Sequence, residues 1–185
     1  MAYGFHPETD LVFEGTRVNL RVKKLPRRGG GELQREVAEV ADAVVILPLI
    51  EIDDVPGVVL IRNERFAVDQ TLWELPAGTL EAGEDPQACA ARELEEETGY
   101  RAAEVDAMVD FWASPGFSTE RMHAFVARGL VKTQQSLDDT ERIVPKAVTW
   151  ADALKMARSG QLGDGKTLAT LLWWEAFGRM AAEGT

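Results

Sequence analysis

Two runs of apolar, mostly β-branched residues stand out along the chain, Ala43 to Ile50 (AVVILPLI) and Val58 to Ile61 (VVLI). Runs of that length without polar alternation belong to strands covered on both faces, so they predict the centre of a sheet. Leu11–Phe13 and Arg17–Lys24 read as extended, and the PRRGGG turn of Pro26 to Gly31 leads into ELQREVAEV, which together predict a small antiparallel sheet near the N-terminus. Val105–Trp112 and Met122–Ala127 predict two further strands around the loop Ser114–Glu120, and Val148–Trp150 one more. Ala151–Arg158 and Lys166–Met180 have helical spacing, with stops near Gly160 and Gly184. One further helix is marked by its punctuation. Asp85 can cap the first free amides, Pro86 suits a first position that lacks a hydrogen-bond partner anyway, and Gly99 supplies the stop. Within it Ala90, Leu94 and the Ala91 side are expected to face a core. Strands and helices alternate without repeats or low-complexity linkers, which predicts an α/β/α sandwich around a mixed sheet. Residues 1–40 form the N-terminal sheet region and 41–185 the main domain.

Composition narrows the picture. The 185 residues are 45% hydrophobic, enough for one sizeable core. There are 20 basic against 31 acidic residues, a formal net charge of −11, which would repel a nucleic-acid backbone and points away from DNA or RNA as partner. No stretch approaches the roughly 20 apolar residues needed to span a bilayer, and no charged segment followed by an apolar run opens the chain, so no membrane partner is expected and the location is read as cytoplasmic. The one cysteine, Cys89, sits between alanines and reads as a small core residue.

The capped helix carries the chemistry. Glu93, Glu96 and Glu97 are spaced i, i+3 and i+4 and so project from one face. Charge runs of this kind ordinarily form a solvated face. Three carboxylates held close repel one another, however, and a divalent cation relieves the repulsion; hard oxygen ligands suit magnesium or manganese.

The spacing favours the second reading. From Gly78 to Tyr100 the chain reads GTLEAGEDPQACAARELEEETGY, with Glu84 six residues after Gly78, then Arg92-Glu93-Leu94, Glu96-Glu97 and Gly99. This resembles the Nudix box, G-x5-E-x7-R-E-U-x-E-E-x-G-U with U apolar. Every charged and glycine position is filled, and the one departure is Tyr100 where an aliphatic residue is usual. The resemblance implies a Nudix-type fold, with the catalytic domain over 41–185. Further segments, WELPAG (Trp73–Gly78), SPGFSTE (Ser114–Glu120, with Pro115 as marker), Arg35-Glu36-Val37 and Asp164-Gly165-Lys166-Thr167, look like the branch of that family that cleaves ADP-ribose and related nucleoside diphosphate sugars.

The resemblance also implies roles. Glu93 and Glu97 would be metal ligands, joined by the backbone carbonyl of Ala77, with Glu96 bridging metals or shaping their surroundings; Mg2+ is the expected ion and Mn2+ a possible one. Arg92 and Glu84, one charge of each sign across turn and helix, would pair and hold the loop, with Gly78 and Gly99 as further structural support. The general base would come from the acidic loop Ser136–Glu141, as Asp139 or Glu141, with Glu141 favoured; with Glu96 and Arg92 these make up the catalytic set. Arg35 and Arg65 would face the diphosphate or adjoining ribose, Pro115 would lie in the substrate loop, and Glu120 would organise that loop or the sugar hydroxyls. The chain reads Asn63-Glu64-Arg65 where relatives often have Q-x-R. Relatives commonly form homodimers by exchanging N-terminal sheets, so a homodimer is expected. The leading activity is metal-dependent hydrolysis of ADP-ribose to AMP and ribose 5-phosphate. The alternatives are a pyrophosphatase for another nucleoside diphosphate sugar such as GDP-mannose, and a sensor that binds ADP-ribose without cleaving it.

Overall fold

A computed structural model describes residues 9–178. The expected helix end at Met180 to Gly184 lies outside the described residues. The chain divides into two compact units. One comprises the described residues up to Asp42 together with Trp112–Arg121; the other comprises Ala43–Phe111 and Met122 to the last described residue.

In the first unit, β1 (Thr9–Phe13), β2 (Asn19–Pro26) and β3 (Glu32–Glu39) form an antiparallel sheet in that order, as the extended segments and the PRRGGG turn predict. Arg21 on β2 pairs with Glu39 on β3 at 2.6 Å. The loop Ser114–Glu120 docks on the end of β3. Ala38 N donates to Phe117 O at 2.7 Å, Thr119 N donates to Ala38 O at 3.0 Å, and the Thr119 hydroxyl accepts from Val40 N.

The second unit is built on β4 (Ala43–Ile52), β5 (Val55–Arg65), β6 (Gln70–Glu74), β7 (Ala77–Thr79), the helix α1 (Pro86–Thr98), β8 (Tyr100–Arg101), β9 (Glu104–Trp112), β10 (Arg121–Arg128), β11 (Val131–Lys132), β12 (Ile143–Thr149), α2 (Trp150–Arg158) and α3 (Gly165–Trp173), followed by a π-helical turn over Trp174–Gly178. The main sheet runs β12-β5-β4-β10-β9, with β6 on β5 and β7 on β4. It is mixed: β4 runs parallel to β10 and antiparallel to β5 and β7. The apolar run of β4 shows why it reads as doubly buried. Val44 and Ile46 pack with Cys89, Ala90 and Leu94 of α1, while the alternate Val45 and Leu47 pack with Trp150, Ala153, Leu171 and Trp174 on the opposite face. The expected α/β/α layering follows from that alternation.

Two expectations need correction. Trp150 is the first residue of α2 rather than the end of a strand, because Thr149 caps the helix by accepting from Asp152 N; the strand before it starts earlier, at Ile143. Ala91 is exposed, and it is Cys89, two residues earlier, that joins Ala90 and Leu94 in the core.

Candidate active site

The site grows from a turn and a helix whose local sequence dictates their shape. Asp85 caps α1 by accepting from Ala88 N at 3.1 Å, Pro86 opens the helix, and Gly99 ends it at φ 67°, a left-handed conformation that favours glycine. Ahead of the helix, Glu81 N donates to the Glu84 carboxylate at 3.0 Å and closes the loop on itself. Glu84 in turn receives Arg92 Nε at 3.0 Å and Arg92 Nη2 at 3.2 Å. This bidentate pairing holds the Glu84 carboxyl down at about 2 and raises the Arg92 guanidinium. Arg92 Nη1 faces the other way, donating to Glu93 at 2.7 Å and Glu96 at 3.0 Å. One guanidinium therefore gathers three of the four carboxylates.

The fourth, Glu97, is 3% exposed and accepts from Ala77 N at 2.9 Å, so the helix face is pinned to the β7 turn. Burial pushes its carboxyl up to about 8, and the nearby charges of Glu93 and Glu141 act in the same direction, against the Ala77 hydrogen bond and Arg65. Burial likewise raises Glu93, reinforced by Glu96 and Glu141 and opposed by Arg92. Gly78 is required by this packing. A Cβ there would land on the Glu93 carboxyl group, so any other residue would force that carboxyl out of its present place.

The segment after β11 closes over the C-terminal end of α1 and satisfies its free carbonyls. Thr133 N donates to Gly99 O at 2.7 Å, Ser136 N to Glu96 O at 3.0 Å, and Gln135 Nε2 to Glu97 O at 2.6 Å and Ile143 O at 3.2 Å. This places the acidic loop beside the carboxylates. Glu141 is half-buried, accepts from Asp138 N at 3.0 Å, and acts electrostatically on both Glu93 and Glu97, whereas Asp139 is exposed.

Arg65 comes to the same region from β5. It forks onto Glu74 at 2.8 and 2.6 Å, and the charge of Glu97 acts on it as well. Glu74 is fully buried and also receives Lys166 at 2.6 Å, and Lys166 lies 3.0 Å from Asp164. Burial opposes the charge of Glu74, yet Arg65 and Lys166 together hold its carboxyl below the usual range. Asp164 caps α3 at Thr167 N, and the Thr167 hydroxyl accepts from Leu75 N at 2.8 Å, which fastens the WELPAG segment to the DGKT segment. Glu74, Lys166, Thr167 and Gln135 have no role in the sequence reading; the signal for the first three was the presence of both segments. Arg35, Pro115 and Glu120 belong to the first unit. Arg35 is exposed on β3, donating to Gln34 O at 3.2 Å; Pro115 lies in the docked loop; Glu120 N donates to Ser118 Oγ and Glu120 O accepts from Ala113 N.

Among the described residues no three histidine, cysteine or acidic side chains already surround one point at coordination distance. Arg92 stands between Glu93 and Glu96, and one Glu97 oxygen is engaged by Ala77 N.

Comparison with known proteins agrees with the box. The sequence profile of the NUDIX domain matches residues 40–171. An ADP-ribose pyrophosphatase of Bacillus subtilis (strain 168) is 35% identical over 160 residues, covering 85% of each chain. A methanol dehydrogenase activator of Bacillus methanolicus is 34% identical over 163 residues, 87% of this chain and 86% of that one. A GDP-mannose pyrophosphatase of Salmonella arizonae is 34% identical over 158 residues, 80% and 81% of the two. The crystal structure of an ADP compounds hydrolase superimposes with a TM-score of 0.81 at 19% identity, covering 96% of this chain and 94% of that one, a likeness of fold.

Proposed function

The chain belongs to the Nudix family, and from that premise we propose that it hydrolyses the pyrophosphate bond of ADP-ribose to AMP and ribose 5-phosphate. The observation that carries this reading is the carboxylate cluster of Glu93, Glu96 and Glu97, held by Arg92 and by Ala77 N against the Gly78 turn. Hydrolases of this family generally depend on a divalent metal. The residues fit such an ion by their chemistry, since they are hard oxygen donors whose charge is under-compensated: one guanidinium, Arg92, serves Glu84, Glu93 and Glu96, and Glu97 has no cation hydrogen-bonded to it. We assign Mg2+, with Mn2+ as the alternative, to Glu93, Glu96, Glu97 and the Ala77 carbonyl. Such an ion supplies charge neutralisation at phosphate oxygens and makes water more acidic.

The chain's own residues do the remainder. Arg92, anchored by Glu84, orients Glu93 and Glu96. Glu141 accepts a proton from the water that attacks one phosphorus, while the bond from that phosphorus to the bridging oxygen breaks and the second phosphate leaves with the bridging oxygen. Glu141 takes this role in preference to Asp139 because its charge is felt by both Glu93 and Glu97. Arg65 and Arg35 are assigned to the diphosphate or ribose, Pro115 to the substrate loop, and Glu120 to that loop or the sugar hydroxyls. A homodimer formed through the N-terminal sheet, acting in the cytoplasm without nucleic-acid or membrane partners, completes the proposal.

Similarity to GDP-mannose pyrophosphatases favours a second reading, in which the same chemistry acts on another nucleoside diphosphate sugar. A product assay with magnesium, with and without chelator, against ADP-ribose and GDP-mannose decides between them. Chelator-sensitive release of AMP from ADP-ribose is expected; preferential cleavage of GDP-mannose would transfer the proposal to that substrate, and ADP-ribose bound but uncleaved would leave a sensor. Within the same assay Glu141→Gln should lower kcat by roughly 10²-fold with little change in KM, and Asp139→Asn by less than about threefold. Equal losses from both would move the base.

A further inference from the structure

Glu74 is a fully buried carboxylate with two cations on it, and neither the metal chemistry nor the proton transfer uses it. The two cations differ in situation. Arg65 keeps 37% of its side chain exposed and lies within electrostatic reach of Glu97, whereas Lys166 is 15% exposed and also pairs with Asp164 at 3.0 Å. Arg65 is thus the more exposed cation and the one that feels the carboxylate site, and Lys166 the more enclosed of the two.

That asymmetry has a physical consequence. If Arg65 were the sole partner of Glu74, turning its guanidinium toward an anionic ligand would strand a buried charge, which is strongly unfavourable. With Lys166 at 2.6 Å, Glu74 keeps a charged partner whichever way Arg65 turns. We propose that Lys166 is a positioning residue that holds the charge of Glu74 and so frees Arg65 to bind the diphosphate of the substrate. The segment carrying Lys166 is itself fixed for this purpose. Asp164 caps the helix beneath it, and the next residue, Thr167, accepts from Leu75 N beside Glu74. The inference rests on the proposed hydrolysis of a nucleoside diphosphate sugar, because it needs an anionic diphosphate at Arg65.

The test is a double-mutant cycle on the full chain, with steady-state kinetics on ADP-ribose and magnesium and thermal melting of each variant. Lys166→Met should raise KM about tenfold and change kcat by less than about threefold, and Lys166→Arg should restore most of the loss. Arg65→Gln should raise KM further, and adding Lys166→Met to it should change KM by less than about twofold, because the lysine acts through the arginine. An unchanged KM in Lys166→Met, or a full tenfold loss that persists in the Arg65→Gln background, would overturn the proposal whatever the melting temperatures do. Should Lys166→Met not fold, Lys166→Gln keeps a donor to Glu74 without the charge and takes its place in the cycle under the same criteria. Wild-type protein run alongside separates the two questions. If it cleaves GDP-mannose instead, the substrate assignment falls while the cycle is read on that substrate.

Discussion

Two buried glutamates in the second unit have carboxyls displaced in opposite directions. Glu97 is 3% exposed and pushed up to about 8; Glu74 is 0% exposed and held below the usual carboxylate range. Burial works against the charge of both, so burial does not separate them. Their neighbours do. Glu74 sits with Asp164 among two cations, Arg65 and Lys166, and its region is neutral. Glu97 has the charges of Glu93 and Glu141 near it with Arg65 opposing them from a distance, while the guanidinium of Arg92 is taken up by Glu84, Glu93 and Glu96. A balanced set of buried charges makes a rigid joint, here between WELPAG and DGKT. An unbalanced set stores repulsion that an added cation releases.

The largest expected effect breaks the unbalanced side. Glu97→Gln removes the charge and keeps the shape, so kcat should fall on the order of 10³-fold at saturating magnesium while the metal-free protein melts no lower than wild type. Near-normal turnover would take Glu97 out of the ligand set. The corresponding change on the balanced side should do the reverse. Glu74→Gln leaves Arg65 and Lys166 facing each other without their shared anion, and urea unfolding should show a loss of about 3 kcal/mol in stability. A loss of activity with unaltered unfolding would mean that Glu74 serves chemistry rather than the joint.

The same contrast explains what could be read from the sequence. The Glu97 side is local: cap, helix, stop and the Glu84–Arg92 pair all fall within Gly78 to Tyr100, and spacing alone brings them together. The balanced joint spans 92 residues of sequence from Glu74 to Lys166, and no periodicity reports a contact of that range. Only the joint presence of the two segments hinted at it. Strand positions were legible where both faces are covered, as in β4 and β5, and less so at the sheet margin. There the tract Val148-Thr149-Trp150 looks β-branched and aromatic, yet the Thr149 hydroxyl turns it into a helix start. Gln135 is not legible in the sequence because its partners are backbone carbonyls, which carry no sequence signature.

The last expected effect is a pH dependence of stability, to which the two glutamates contribute with opposite sign. Glu97 has a folded-state carboxyl near 8 against an ordinary 4.5, so between those values the metal-free folded chain binds more protons than the unfolded one. Stability from this group is therefore complete below the lower value and declines as pH rises through the window. Glu74 runs the opposite way: its lowered carboxyl contributes stability above the ordinary value and loses it on acidification through the lowered one. With chelator present, the melting temperature should fall between about pH 5 and about pH 8 in wild type, and this component should vanish in Glu97→Gln. Magnesium should lift the upper end of the wild-type curve selectively, since a cation bound there favours the charged form. Should the decline persist in Glu97→Gln, the group titrating across neutrality lies elsewhere, and the contrast between the two buried carboxylates would have to be drawn from geometry alone.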